Sequence, residues 1–160
     1  MLRLQAGGVY NRFVSASANR GKRQTTDDDG LPHWIEKYVR ALRKAVLLLW
    51  AVLICCVVIG SLLPSESPVM VVIGGLQIND KVLHFCAYLA LSFLPVIGFR
   101  DRRRGIVAGL AMFVLGVLLE AGQQFSPGRT VELGDLLANG AGVGCGALLG
   151  LPIRTLFVLI

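Results

Sequence analysis

The chain has 160 residues, 54% of them hydrophobic and only 16% charged, with a formal net charge of +6 and a mean hydropathy of +0.66. Soluble domains average about 25% charged residues, so this chain has too few polar side chains to cover a surface facing water. The composition excludes an ordinary soluble enzyme. The distribution of the cations, taken up below, excludes a nucleic-acid module.

Residues 1–30 are polar, with Arg3, Arg12, Arg20, Lys22 and Arg23 followed by the acidic run Asp27-Asp28-Asp29. No apolar period repeats there, which predicts a disordered basic tail. The first 26 residues lack Asp and Glu, a pattern shared with organellar transit peptides. The first apolar block begins too late for a secretory signal. Over residues 31–44, Trp34, Ile35, Tyr38, Val39 and Leu42 fall at helical spacing opposite Glu36, Lys37, Arg40, Arg43 and Lys44. Such a basic amphipathic helix suits a membrane interface, and it reads equally as an extension of the first span.

Four spans follow. Ala45 to Leu63 is uncharged and just long enough for a hydrocarbon core of about 30 Å. Pro64 and Pro68 break the chain after it. The second span runs from Asp80 to Phe99, with Pro95 inside, where a neighbour must satisfy the carbonyl that proline frees. The third covers Gly105 to Gln124. The fourth runs from Leu133 to the C-terminus, with an interruption expected at Pro152 and residues 153–160 as a separate end segment. The predicted fold class is all-α: a polytopic bundle of four transmembrane helices. The four cysteines (Cys55, Cys56, Cys86 and Cys145) lie in apolar runs without ligand spacing and read as small buried hydrophobes.

Nine of the sixteen Lys and Arg precede the first span, and Arg100, Arg102, Arg103 and Arg104 fill the second-to-third connection. Lys81, Arg129 and Arg154 are the remaining three. Because cytoplasmic loops collect cations, the N-terminus, the middle loop and the C-terminus are expected on the cytoplasmic side. The positive balance thus sets topology and attracts anionic lipid, with no nucleic-acid partner.

Ionisable groups within spans are costly and mark functional or specific polar contacts. Asp80, His84 and Tyr88 share one face of the second helix, as do Glu120 and Gln124 on the third and Asp135 and Asn139 on the fourth. Gln123 stands beside Glu120, and Lys81, Arg129 and Glu132 lie at the same end. All of these fall at the outer ends of their helices, so three helices are expected to bring a polar pocket to one level of the bilayer. The structural alternatives are helix capping by Asp80 and Asp135, interhelical hydrogen bonding by His84 and Tyr88, and a counter-ion role for Arg129. Glu120 lies at a helix C-terminal end, where the dipole disfavours an anion, so it is expected to be paired, with Arg129 or His84, or else protonated.

The fourth helix carries Gly140, Gly142, Gly144, Gly146 and Gly150. Their four-residue spacings suit close helix packing, either inside the bundle or across a homo-oligomer. No strand precedes them, which removes a dinucleotide loop. A metal held by His84, Glu120, Asp80 and Asp135 finds no support in the spacing along the chain, so no metal and no cofactor is expected.

The blocks Asp80-Lys81-x-x-His84-x-x-x-Tyr88, Glu120-x-x-x-Gln124-x-x-Pro127-Gly128-Arg129 and Asp135-x-x-x-Asn139-x-x-Gly142 resemble the signature of the VanZ-like integral membrane proteins. The likeness covers residues 46–151, inside a four-helix membrane domain of residues 45–160. The residues just before Asp135, Thr130-Val131-Glu132-Leu133-Gly134, depart from the family pattern. The resemblance implies the cell envelope and inner membrane of a bacterium, and the family's name comes from low-level resistance to teicoplanin. In the leading reading, the outward-facing pocket binds a lipid headgroup or cell-wall precursor. Arg129 and Lys81 would hold its anionic group, and His84 and Glu120 would form the titratable pair. The alternatives are a membrane enzyme using His84 or Glu120 as general base, and a structural protein whose polar cluster only ties helices together.

Overall fold

The computed structural model describes residues 32–75, 78–125 and 132–158. The N-terminal tail of residues 1–30 and Arg129 lie outside the described residues. Those described form five helices: α1 (His33–Leu62), α2 (Pro68–Gly75), α3 (Asp80–Gly98), α4 (Arg102–Gln123) and α5 (Leu133–Val158). Four of them, all but α2, are long and apolar enough to cross a membrane. Their large hydrophobic side chains lie exposed on the outer faces, among them Leu48 and Val52 on α1, Val114 and Leu118 on α4, and Leu137 and Leu148 on α5. Such surfaces are stable against hydrocarbon and unstable against water. All four cysteines are exposed as well, which corrects the expectation that they are buried. In a lipid-facing helix, a small apolar residue has no need of the core.

The amphipathic stretch and the first apolar run are one continuous helix, α1. The fourth span is likewise uninterrupted: α5 continues through Pro152 to Val158, against the expected break there. Helix α2 was not foreseen. Pro68 occupies its first position, where a missing N–H costs nothing, and the Ser67 hydroxyl accepts a hydrogen bond from the Met70 N–H at 3.4 Å. Both signals stand in the sequence, hidden by reading the two prolines only as breakers.

Helix α3 is the hub. It runs parallel to α5 and antiparallel to α4, and glycines set both approaches. A methyl group at Gly142 would strike the Phe85 carbonyl, and one at Gly146 the Leu89 carbonyl, so the backbones of α3 and α5 touch. Gly150 continues this row against Val96. On α4, an added Cβ at Gly105 would lie 2.8 Å from the Pro95 carbonyl and one at Gly109 2.9 Å from that of Ser92. Gly140 packs on Phe113 of α4, and Gly144 has nothing within 4 Å.

Helix α1 buries no residue. It joins the bundle through Trp50, Leu53, Ile54 and Val57, which pack on the core of Tyr88, Leu91, Met112 and Val143. Trp50 does more than pack. Pro95 has no N–H to give to the carbonyl four residues back, and that carbonyl, on Leu91, accepts the Trp50 indole N–H at 2.8 Å. Leu91 is fully buried, so α1 supplies the donor that the proline withholds. Trp50→Phe keeps most of the packing and orphans this carbonyl. The expected loss is about 1–3 kcal/mol of stability, read as the shift in thermal unfolding of the detergent-purified chain.

Candidate functional site

The first turn of α3 is capped by Asn79, whose side-chain oxygen accepts the Lys81 N–H at 2.9 Å. Asp80 is therefore not the cap, and its carboxylate turns to His84 one helical turn on, with Asp80 Oδ2 3.8 Å from His84 Nε2. The other ring nitrogen, Nδ1, lies 3.0 Å from Asn139 Oδ1 on α5 and 4.0 Å from Glu120 Oε1 on α4. With Asn139 Oδ1 as acceptor, Nδ1 carries the hydrogen and Nε2 keeps its lone pair. Tyr88 stacks on the imidazole with ring centroids 6.5 Å apart and planes 6° apart.

Gly116 makes room for this arrangement. A Cβ there would stand 3.0 Å from the Tyr88 ring and 3.2 Å from Asn139 Nδ2, so the absent side chain lets α3 and α5 present both groups to α4.

Asp135 sits in the first turn of α5 and is 5% exposed. Lys81 Nζ bridges it to the helix start, 2.8 Å from Glu132 Oε2 and 3.7 Å from Asp135 Oδ1. The role of Glu132, the departure from the family pattern, is thus to pair with Lys81. Its hydrogen bond to the Lys81 ammonium holds the Glu132 carboxyl below its ordinary value of 4.5. A depressed carboxyl contributes stability that is present above its unfolded value and lost as pH falls through its folded value. The contribution is small because both partners are half exposed. Glu132→Gln is accordingly expected to lower thermal stability slightly at pH 7, with the difference from the native chain vanishing as pH falls below 4.5.

Glu120, Asp135 and Asn139 are each at least 95% buried, and among the described residues Glu120 Oε2, Asp135 Oδ1 and Asn139 Nδ2 have no hydrogen-bond partner. Next to them opens a cavity of about 300 Å³, lined by Asp80, His84 and Tyr88 of α3, Gln123 of α4, Gly60 and Ser61 of α1 and Met70 and Ile73 of α2. Its walls are largely apolar, with the polar groups along one side.

The structure therefore brings Asp80, Lys81, His84, Tyr88, Glu120, Asp135 and Asn139 together at one end of the bundle. Gln124 does not join them. It is exposed and its amide donates to the Ala121 carbonyl at 2.7 Å, whereas Gln123 is 3% exposed and lines the cavity. Helix α4 stops at Gln123, so the four-residue spacing that pairs Glu120 with Gln124 runs past the helix end. Gly116 and α2 are the parts of the site that sequence reasoning missed, and Gln123, seen beside Glu120, takes the place that the spacing gives to Gln124. Only the helix signal of Ser67-Pro68 offered a way to one of them. The expectation of no metal rested on spacing along the chain. In space, one ligand atom from each of Asp80, His84 and Asp135 falls within 4.8 Å of the others.

The opposite end of the bundle is also organised by a buried ion. Arg154 of α5, 6% exposed, donates from Nη1 to the carbonyls of Val96 at 2.8 Å and Phe99 at 2.6 Å, and from Nη2 to that of Arg100 at 2.5 Å. These lie at the C-terminal end of α3, where carbonyls lack intrahelical partners. Beside them Asp101 caps α4 by accepting the Arg104 N–H at 3.0 Å, which holds its carboxyl below the usual 3.8.

No curated protein and no solved structure shows significant similarity to this chain. The profile of the VanZ/LLP1 family matches residues 33–156, which spans α1 and the whole cluster around His84. With four apolar helices of spanning length gathered around this cluster, the chain is a multi-pass membrane protein of the VanZ/LLP1 family.

Proposed function

We propose that the cavity beside His84 binds a polar envelope component, a lipid headgroup or cell-wall precursor, from the outer face of a bacterial inner membrane. One observation carries the reading: a 300 Å³ cavity is lined by Asp80, His84, Tyr88 and Gln123, and behind His84 the buried Glu120, Asp135 and Asn139 keep atoms that no described residue hydrogen-bonds. A cluster that served only to tie helices together would satisfy its own members, because an unpartnered polar atom in a low-dielectric interior costs about 1–3 kcal/mol. An apolar cavity edged by a few convergent polar groups, with further unfilled ones behind them, is that of a site built for a ligand. The apolar walls from α1 and α2 suit the glycerol or prenyl base of a lipid, and the polar side suits its head.

The orientation is supported by the cations. Arg100 stands in the connection between α3 and α4, and Arg102, Arg103 and Arg104 form the first turn of α4, at the end opposite His84, and cytoplasmic ends are the basic ones. Protection against teicoplanin, for which the family is named, would follow from such a site through capture or masking of a surface precursor.

Native mass spectrometry of the detergent-purified chain tests the reading, with phosphatidylglycerol and a polyprenyl-diphosphate-linked precursor offered separately. Retention of either by the native chain, and its loss in His84→Ala and Glu120→Gln, is the expected result. Equal retention by all three proteins would place lipid binding elsewhere on the bundle.

A further inference from the structure

Among the described residues of the cluster, four carboxylates (Asp80, Glu120, Glu132 and Asp135) face one ammonium, that of Lys81. Lys81 lies on the rim, 49% exposed and bonded to Glu132, and its distance of 3.7 Å from Asp135 Oδ1 is beyond hydrogen-bond reach. Among the described residues, no ammonium or guanidinium comes within hydrogen-bond distance of the buried Asp135 Oδ1 or Glu120 Oε2. We infer that Asp80, His84 and Asp135 form a binding site for a divalent transition metal, with Asn139 as the residue that orients the histidine.

Four features support the assignment. The three donor atoms from Asp80, His84 and Asp135 gather within 4.8 Å. Donors on one such metal stand about 2.0–2.2 Å from it, so the group must close by roughly an ångström. Asp80, with its side chain 59% exposed, is free to turn inward and supply that movement. Asn139 Oδ1 engages His84 Nδ1, which directs the lone pair of Nε2 to the side where Asp80 lies. A histidine ligand held in one tautomer by an acceptor on its other ring nitrogen is the usual arrangement in metal sites. Finally, Asp135, 5% exposed, has in Oδ1 an oxygen that no described residue hydrogen-bonds, the Lys81 ammonium standing 3.7 Å away. A buried carboxylate in this position calls for a cation.

One imidazole among carboxylates suits Mn²⁺ and Zn²⁺ better than Ca²⁺ or a thiolate-seeking ion. The inference goes beyond the headgroup reading and stands without it. If both hold, the cation explains how an acidic cluster receives a phosphate-bearing head.

The test uses Mn²⁺ with no lipid added, so that failure of the headgroup reading does not affect it. Mn²⁺ also has little affinity for the four cysteines. The full chain, tag-free in detergent and treated with chelator, is titrated while electron paramagnetic resonance follows the six-line signal of free Mn²⁺. The expected result is one bound Mn²⁺ per chain, displaced by Zn²⁺. Affinity should fall at least ~10-fold in His84→Ala and Asp135→Asn, and by about 10-fold in Asn139→Ala, where only the orienting contact is lost. Asp101→Asn, at the opposite end, should bind as the native chain does. Asp80→Asn alters an exposed side chain and serves if a buried substitution prevents folding, since it too must weaken binding. Absence of saturable binding, or binding that survives the His84, Asp135 and Asp80 substitutions, would overturn the assignment.

Discussion

Replacing Gly146 by leucine is expected to remove the folded protein from the membrane, whereas the same replacement at Gly144, two residues away, is expected to be silent. The two differ in what a side chain would meet. At Gly146 it would drive into the Leu89 carbonyl, with the Phe93 N–H 3.0 Å away, and at Gly144 it would meet nothing within 4 Å. Overpacking ordinarily costs about 1–3 kcal/mol because flexible side chains yield. Here two helix backbones are in contact and neither yields, so the cost should exceed that range and separate α5 from α3 along their length. Gly144→Leu adds apolar surface toward lipid and should stay within about 0.5 kcal/mol of the native chain. Immunodetection of membrane-inserted protein after matched expression gives the comparison. Equal accumulation of both variants would mean that α3 and α5 are not in backbone contact.

Arg154→Leu should be nearly as damaging, through electrostatics instead of volume. The guanidinium serves three carbonyls at the end of α3, and a hydrogen bond to a charged group contributes about 1.5–3 kcal/mol. Leucine leaves these acceptors without donors at the junction of α3 and α4, where Gly105 already brings the two backbones together. A loss of about 3 kcal/mol or more is expected, seen as a large drop in thermal stability in detergent. Arg154→Lys keeps the charge without the planar fork, reaches fewer of the carbonyls, and should recover only part of the loss.

These predictions mark where the sequence was legible. The apolar runs and the connections located the four spans to within a few residues, because spanning length and backbone satisfaction leave a membrane helix few alternatives. The polar faces of α3 and α5 were legible for the same reason: residues four apart on a continuous helix must share a side. Gln124 broke that rule because α4 ends at Gln123. The partner for the Leu91 carbonyl was foreseeable as a need created by Pro95, yet nothing in the chain marks Trp50 as the donor, since that depends on how α1 packs. Arg154 was read as a topological cation. Its position one turn beyond Gly150 places it beside the end of α3 only because Gly142, Gly146 and Gly150 bring the two helices so close. The metal-like gathering of Asp80, His84 and Asp135 joins two helices 55 residues apart, counting from Asp80 to Asp135, and no spacing along the chain reports it.

The central claim is that the His84 cluster is a functional site and not a tie between helices. The most direct measurement expresses the native chain, His84→Ala and Glu120→Gln in a glycopeptide-susceptible bacterium, and records membrane-inserted amount together with teicoplanin susceptibility. The native chain is expected to protect, and both variants to insert in native amounts and lose the protection. Variants that fail to accumulate, or that accumulate and still protect, would contradict it.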